Sequence, residues 1–228
     1  MVDGFFEDRP NRFICHVILE DGNRVSAHVP NTGRMAELLV KGAAVRLAYC
    51  PSPKRKTDYS LLTVKFHDHW VCTQAVMAND LVFEYLKRDK KVLELEREVT
   101  YGDSRFDLKG RIHGKSGFFE VKSVNLVRER EGKQIACFPD APTVRGLKHL
   151  RGLIKAQNEG YCNGVFFVVQ RSDADYVMPN WETDPDFAQT LVLCQQKGIK
   201  VVGFQCTVTE TTIQIVRKIP VIFSSADL

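Results

Sequence analysis

The chain has 228 residues, 44% hydrophobic and 26% charged, which is ordinary for a soluble globular protein and long enough to bury a real core. The formal net charge of +4 excludes a strongly basic nucleic-acid arm, so any anionic partner has to be met by local clusters. Seven cysteines, odd in number, lie mostly inside apolar runs and form no C-x-x-C pair, which argues for reduced thiols and against a disulfide framework or a zinc site.

The N-terminus MVDGFFEDRPNRF has no basic start followed by a long apolar region, and no window approaches the ~18 apolar residues of a membrane span. The expectation is a cytoplasmic protein without membrane contact.

Up to about Ala78, short apolar runs alternate with turn residues: RFICHVILE, RVSAHVPN, AVRLAYC, SLLTVKFHD and HWVCTQAVM. These read as strands, with Asp21-Gly22-Asn23 as a hairpin turn and MAELLVKG as one short helix ending at Gly42. About five strands and a short helix fit a small OB-like barrel, and an SH3-like barrel or sandwich fits the same pattern. On such a barrel Phe13, Tyr49, Tyr59, Phe66 and Trp70 are candidate base-stacking rings, although aromatics in strands ordinarily serve the core. His67 and His69 in FHDHW would share a strand face with Asp68 opposed, a transition-metal pattern that rim histidines mimic by chance.

After Asn79 the rhythm changes. NDLVFEYLKRDKKVLELER starts with Asn79 or Asp80 as N-cap and continues with apolar residues at helical spacing, which places a domain boundary between residues 1–79 and 80–228. Strands and helices then alternate: VTYGDSRFDLKGRI, GFFEVKSVNLV and QIACF, the helix APTVRGLKHLRGLIKAQNEG, the strand GVFFVVQ, the helix PDFAQTLVLCQQKG and the strand IKVVGFQCTV. The run GVFFVVQ is apolar on both faces, as a central strand between helices must be, so the fold class is α/β with an N-terminal all-β barrel.

The chemistry concentrates in SRFDLKGRIHGKSGFFEVKSV. Glu120 and Lys122, two apart on a strand, project from one face, and an antiparallel partner strand would bring Asp107 toward them. Hard carboxylate oxygens suit Mg²⁺ or Mn²⁺, which also bind phosphate oxygens, and an ammonium beside them can orient water or meet developing negative charge. A cross-strand ion pair on a solvated sheet face would leave the same letters. Glu84, within LVFEYL, reads by itself as an ordinary helix acid paired with Lys87 or Arg88. Arg145, Lys148 and His149 in TVRGLKHL offer a basic helix face to phosphate, and Lys54, Arg55 and Lys56 a basic loop; a solvated face explains either as well.

Asp107 with Glu120-x-Lys122 resembles the PD-(D/E)xK nuclease superfamily. More specifically, RPNRF, HVPNTGRM, EREVTYGDSRFD, EVKSVNL, FPDAPTVRGLKHL, VVQR and PN…DPDF, in that order, resemble the sugar fermentation stimulation protein A family over essentially the whole chain.

The resemblance implies an OB-like domain followed by a restriction-endonuclease-like mixed-sheet domain, association with DNA, and a regulatory role in sugar, particularly maltose, metabolism. It carries Asp107, Glu120 and Lys122 onto the nuclease motif and Glu84 onto the helix acid. It also draws attention to Asn31, Thr32, Gly33 and Arg34, whose loop could donate hydrogen bonds to phosphate or be plain turn chemistry, and to Asp140, Thr143 and Arg145. Asn125 stands where a threonine-like residue is expected.

Two functions follow: a Mg²⁺- or Mn²⁺-dependent phosphodiester hydrolase that binds DNA, with Asp107, Glu120 and Glu84 as ligands, or a non-catalytic, largely sequence-nonspecific DNA-binding regulator. The sequence leaves a homodimer open.

Overall fold

The computed structural model describes residues 1–227. The first six strands are β1 (Val2–Asn11), β2 (Ile14–Leu19), β3 (Arg24–His28), β4 (Ala44–Tyr49), β5 (Tyr59–Phe66) and β6 (His69–Cys72). They pair in the order β3-β2-β1-β4-β5-β6, and an extra parallel pairing of β3 with β5 closes the sheet into an OB-like barrel. Alternation fills it: Cys15, Val17, Ala27, Val45, Leu47, Leu61 and Val64 point inward and are fully buried.

The short helix expected over MAELLVKG does not form. Met35 has φ of 48°, and only a single turn follows, with the Leu38 and Leu39 amides both donating to the Met35 carbonyl. Met35, Leu38 and Leu39 are all buried against the barrel core, so packing, not helical propensity, sets this segment. His67 lies in the β5–β6 turn with φ of 52°, so it does not share a strand face with His69.

Beyond the barrel come α1 (Met77–Arg88), β7 (Val92–Tyr101), β8 (Ser104–Ile112), β9 (Lys115–Val124), β10 (Val127–Arg130), β11 (Lys133–Phe138), α2 (Val144–Asn158), β12 (Gly164–Val169), β13 (Tyr176–Pro179), α3 (Pro185–Gln196), β14 (Lys200–Val208) and β15 (Ile213–Ile219). The main sheet runs β15-β14-β12-β9-β8-β7, parallel at its centre and antiparallel at both edges, and β10-β11-β13 form a small second sheet. The helical stretch expected to run on through VLELER stops at Arg88. Its apolar residues fit either period, and pairing of Val92–Tyr101 with β8 makes them a strand.

Helices cover both faces of this sheet. Phe166 and Val168 of β12 join Val82 and Leu86 of α1 in one core, whereas Val165, Phe167 and Val169 join Leu150 and Leu153 of α2 and Leu191 of α3 in another. Asp184 ties the two helices of the second core together at their starts. Its Oδ1 caps α3 by accepting from the Phe187 amide at 3.0 Å, and its Oδ2 accepts from the Thr143 amide at 2.8 Å, while the Thr143 hydroxyl caps α2.

Candidate active site

The two strands expected in SRFDLKGRIHGKSGFFEVKSV form a hairpin. β8 and β9 pair antiparallel through Ile112↔Lys115 up to Leu108↔Phe119, and there the ladder ends. Phe106 belongs to the core under α2 and Leu108 to the core under α1, so β8 turns over between them, at Asp107. The Asp107 carboxylate takes over from the missing strand partner: its Oδ2 accepts from the Val121 amide at 2.8 Å. Its Oδ1 accepts from the Asn79 amide side chain of α1 at 3.0 Å.

On β9, Phe118, Glu120, Lys122 and Val124 share the face that meets α2. Glu120 is only 2% exposed. Its Oε1 accepts from Lys122 Nζ and from His149 Nδ1 of α2, each at 2.5 Å. Burial alone would raise the Glu120 pKa, but the Lys122 ammonium and the His149 contact outweigh it and hold the carboxyl below its usual range. An ionised carboxylate only accepts, so His149 carries its proton on Nδ1. The other oxygen, Oε2, is buried without a hydrogen-bond partner. Asp107 is pushed the opposite way, upward, by burial and then by the Glu120 charge. Two neighbouring carboxylates, one with a buried oxygen that has no partner, make an oxygen-rich group of the kind that suits a hard divalent cation.

Lys122 also lines a cleft of about 270 Å³ between barrel and α/β domain. Asn31, Thr32 and Gly33 form the barrel wall, and Ser123, Asn125, Asp140 and Thr143 face them. Asn125 spans the junction, donating to the Cys72 carbonyl at 2.8 Å and accepting from Asn31 Nδ2 at 3.0 Å. Asn125 is therefore a side chain that ties the barrel to the α/β domain. The Met35 amide donates to Asp140 Oδ2 at 2.8 Å, and a Cβ on Gly33 would lie 3.0 Å from that same oxygen, so glycine permits the close approach.

The loop owes its shape to Arg9, which the sequence left without a role. Its guanidinium donates to the carbonyls of Gly33 and Arg34 from Nη1, at 2.8 and 2.7 Å, and to those of Arg12 and Asn31 from Nη2, at 2.7 and 2.9 Å. With these carbonyls turned inward, the loop presents its remaining surface to the cleft. No local pattern announces such a brace, because its partners lie up to 25 residues away.

The other expected residues separate. Glu84 is exposed on α1; the helix starts at Met77, earlier than either cap considered, and residues 78, 82 and 86 face the core. At about 100° per residue Glu84 lies roughly 140° round from Asn79, and it is Asn79 that reaches Asp107. His149 is corrected as well. It is 5% exposed and bonded to Glu120, so it orients the carboxylate and has no surface to offer a nucleic acid.

Arg145 is exposed, and Lys148 is exposed with Asp103 at 3.3 Å. Arg55 is folded onto Thr57 of its own loop and onto Tyr59 and Ser60 at the start of β5, leaving Lys54 and Lys56 exposed to solvent. Arg34 is exposed beside the cleft loop. His69 is engaged by Asp68 and Asp173, each at 3.2 Å.

Residues 75–212 match the model of the sugar fermentation stimulation protein RE domain, and residues 8–73 that of the SfsA N-terminal OB domain. A sugar fermentation stimulation protein homolog from Acetivibrio thermocellus is 42% identical, with 97% of each chain covered. One from Methanobrevibacter smithii is 41% identical, with 95% of each covered. The structure of Pyrococcus furiosus SfsA in complex with Ca²⁺ superposes with a TM-score of 0.86 at 24% identity, covering 97% of this chain and 95% of that one, a likeness of fold.

Proposed function

The chain belongs to the sugar fermentation stimulation protein family, and from that membership and the carboxylates of Asp107 and Glu120 we propose that it is a divalent-cation-dependent phosphodiester hydrolase acting on nucleic acid, most plainly DNA. The observation that carries the reading is the buried, partnerless Oε2 of Glu120, on a carboxylate whose other oxygen is held by a lysine and a histidine. A carboxylate so placed is held for something still to arrive. Asp107 and Glu120 would hold Mg²⁺ or Mn²⁺; the Ca²⁺ found in complex with the Pyrococcus protein is a hard cation of the same oxygen-seeking kind. Bound there, the cation would lower the pKa of a coordinated water and offset charge on the scissile phosphate.

The chain's own groups supply the rest. Lys122 Nζ, half a cleft wall and half a partner of Glu120, is placed to donate to water or to a non-bridging phosphate oxygen. His149 keeps Glu120 oriented, and Asn79 with the Val121 amide does the same for Asp107. Hydrolysis then adds the oxygen of water to phosphorus and breaks one P–O bond, the water proton ending on the departing alkoxide. Glu84 enters this scheme only if it moves, since its helix face is turned to solvent.

End-labelled single- and double-stranded DNA and RNA, incubated with Mg²⁺, Mn²⁺ or EDTA, test the reading against Asp107→Ala and Lys122→Ala. Metal-dependent cutting lost in both variants supports it. Binding without cutting by the native chain, or equal cutting by the variants, overturns it and leaves a DNA-binding regulator of sugar metabolism.

A further inference from the structure

We infer that the substrate is a single strand, which crosses the rim of the barrel and enters the cleft at Lys122; this rests on the nucleic-acid part of the preceding reading and adds the strandedness. Barrel topology brings the elements together. The end of β1, the start of β2, the ends of β3 and β4 and the start of β5 all lie at one rim, as the pairs Asn11↔Ile14, Ile14↔His28, Ala27↔Tyr59 and Tyr49↔Tyr59 require. Three loops leave from that rim: Arg12–Phe13, the 29–34 loop braced by Arg9, and the 50–58 loop with Lys54 and Lys56.

The rim carries rings facing water. Phe13 is 55% and Tyr49 58% exposed, and Tyr59 backs Tyr49 with ring centroids 5.2 Å apart. Between Phe13 and the 50–58 loop runs an open groove lined by Phe13, His28, Arg55 and Lys56. Phe66 and Trp70 are not part of it: Phe66 stacks under Arg171 and Trp70 lies near Lys65. Arg12, one residue from Phe13, lines the catalytic cleft with Asn31 and Thr32, so groove and cleft adjoin. Among the described residues no acid forms an ion pair with Arg12, Arg34, Lys54 or Lys56, and all four are exposed. Asp140, the acid on the cleft wall, has its Oδ2 engaged by the Met35 amide.

Exposed rings beside unpaired cations fit a partner with bare π-faces and regular phosphates. A duplex keeps its bases stacked on one another, so Phe13 and Tyr49 could gain nothing from it without unstacking a step, whereas a single strand lays its bases on such rings directly.

The test uses the full native chain in EDTA, where cutting cannot interfere, with fluorescent oligonucleotides of about 20 nucleotides. Single-stranded DNA and RNA are compared with duplex DNA by anisotropy. Single strands should bind at least about tenfold more tightly, and Phe13→Ala/Tyr49→Ala should lose about tenfold or more on single strands while changing duplex binding less than about threefold. Lys54→Ala/Lys56→Ala should weaken both and flatten the salt slope by about two phosphates. The rings are solvent-exposed, so unchanged thermal unfolding confirms that these variants fold. Equal or tighter duplex binding, or an aromatic variant that grips single strands like the native chain, overturns the inference. If single strands are preferred and the cleavage assay shows no cutting, the hydrolase reading alone fails; if the native chain cuts and prefers duplex, the single-strand track alone fails.

Discussion

Removing the Arg9 guanidinium should loosen the wall of the cleft by a measurable amount. Arg9→Ala strips a donor from four carbonyls. The bonds to Arg12 and Arg34 are exposed, and water replaces the lost donor there at little cost. Those to Asn31 and Gly33 are partly buried, and each should cost about 1–1.5 kcal/mol, or about 2–3 kcal/mol together. With a urea slope of about 2 kcal/mol/M, the midpoint falls by about 1–1.5 M.

Trp70 and Trp181 are the two tryptophans, so a Trp181→Phe background leaves Trp70 of β6 to report unfolding on the barrel side. Arg9→Lys keeps the charge, but a compact ammonium cannot bridge the same four carbonyls, so it should recover no more than about half of the loss. A midpoint for Arg9→Ala within about 0.25 M of the parent's, or an Arg9→Lys variant indistinguishable from the parent, would refute the bracing argument.

His149→Ala should leave the fold standing and weaken Mn²⁺ binding, read by calorimetry, by about 10–100-fold, because Glu120 loses the partner that orients it. Asn79→Ala should lower cleavage by a similar factor through Asp107, whereas Glu84→Ala should leave it within about twofold; the reverse order would place the helix acid in the site after all. Asp173 supplies a pH signature. Burial pushes its pKa up, but the bidentate Arg171 guanidinium outweighs this and lowers it, so its stabilisation is whole above the unfolded carboxylate pKa of about 3.9 and drains away as pH falls from there through the lower folded value. Asp173→Asn should be less stable at neutral pH and show a flatter acid limb in urea titrations; parallel limbs would contradict the pairing.

How far the sequence could be read depended on whether a signal was local. Asp107, Glu120 and Lys122 were legible because strand alternation has a period of two and needs no knowledge of the rest of the chain. The positions of Asn79 and Glu84 are hard to read for the opposite reason. A helical face is known only once the helix start is known, and α1 begins at Met77 with no side-chain cap to announce it. VLELER carries apolar residues compatible with both periods, and only its pairing with β8 decides. Arg9 and Asn125 act on groups distant in sequence, so neither leaves a trace in its neighbourhood. A histidine between Lys148 and Leu150 fits either side of the helix by sequence, so only the fold shows that His149 is buried.

Arg171 is 1% exposed, its guanidinium stacked on the ring of Phe66 of the barrel, its charge answered by Asp173 and its Nη1 donating to the Asn125 carbonyl. The C-terminal two-thirds of the chain therefore keeps one of its own cations under a lid supplied by the N-terminal third. Cut apart at the junction, each piece would expose surface that evolved dry: the barrel would show the underside of Phe66, and the rest a guanidinium and an amide with nothing above them. The junction between the N-terminal third and the rest is thus packed and hydrogen-bonded like an interior, not strung on a linker.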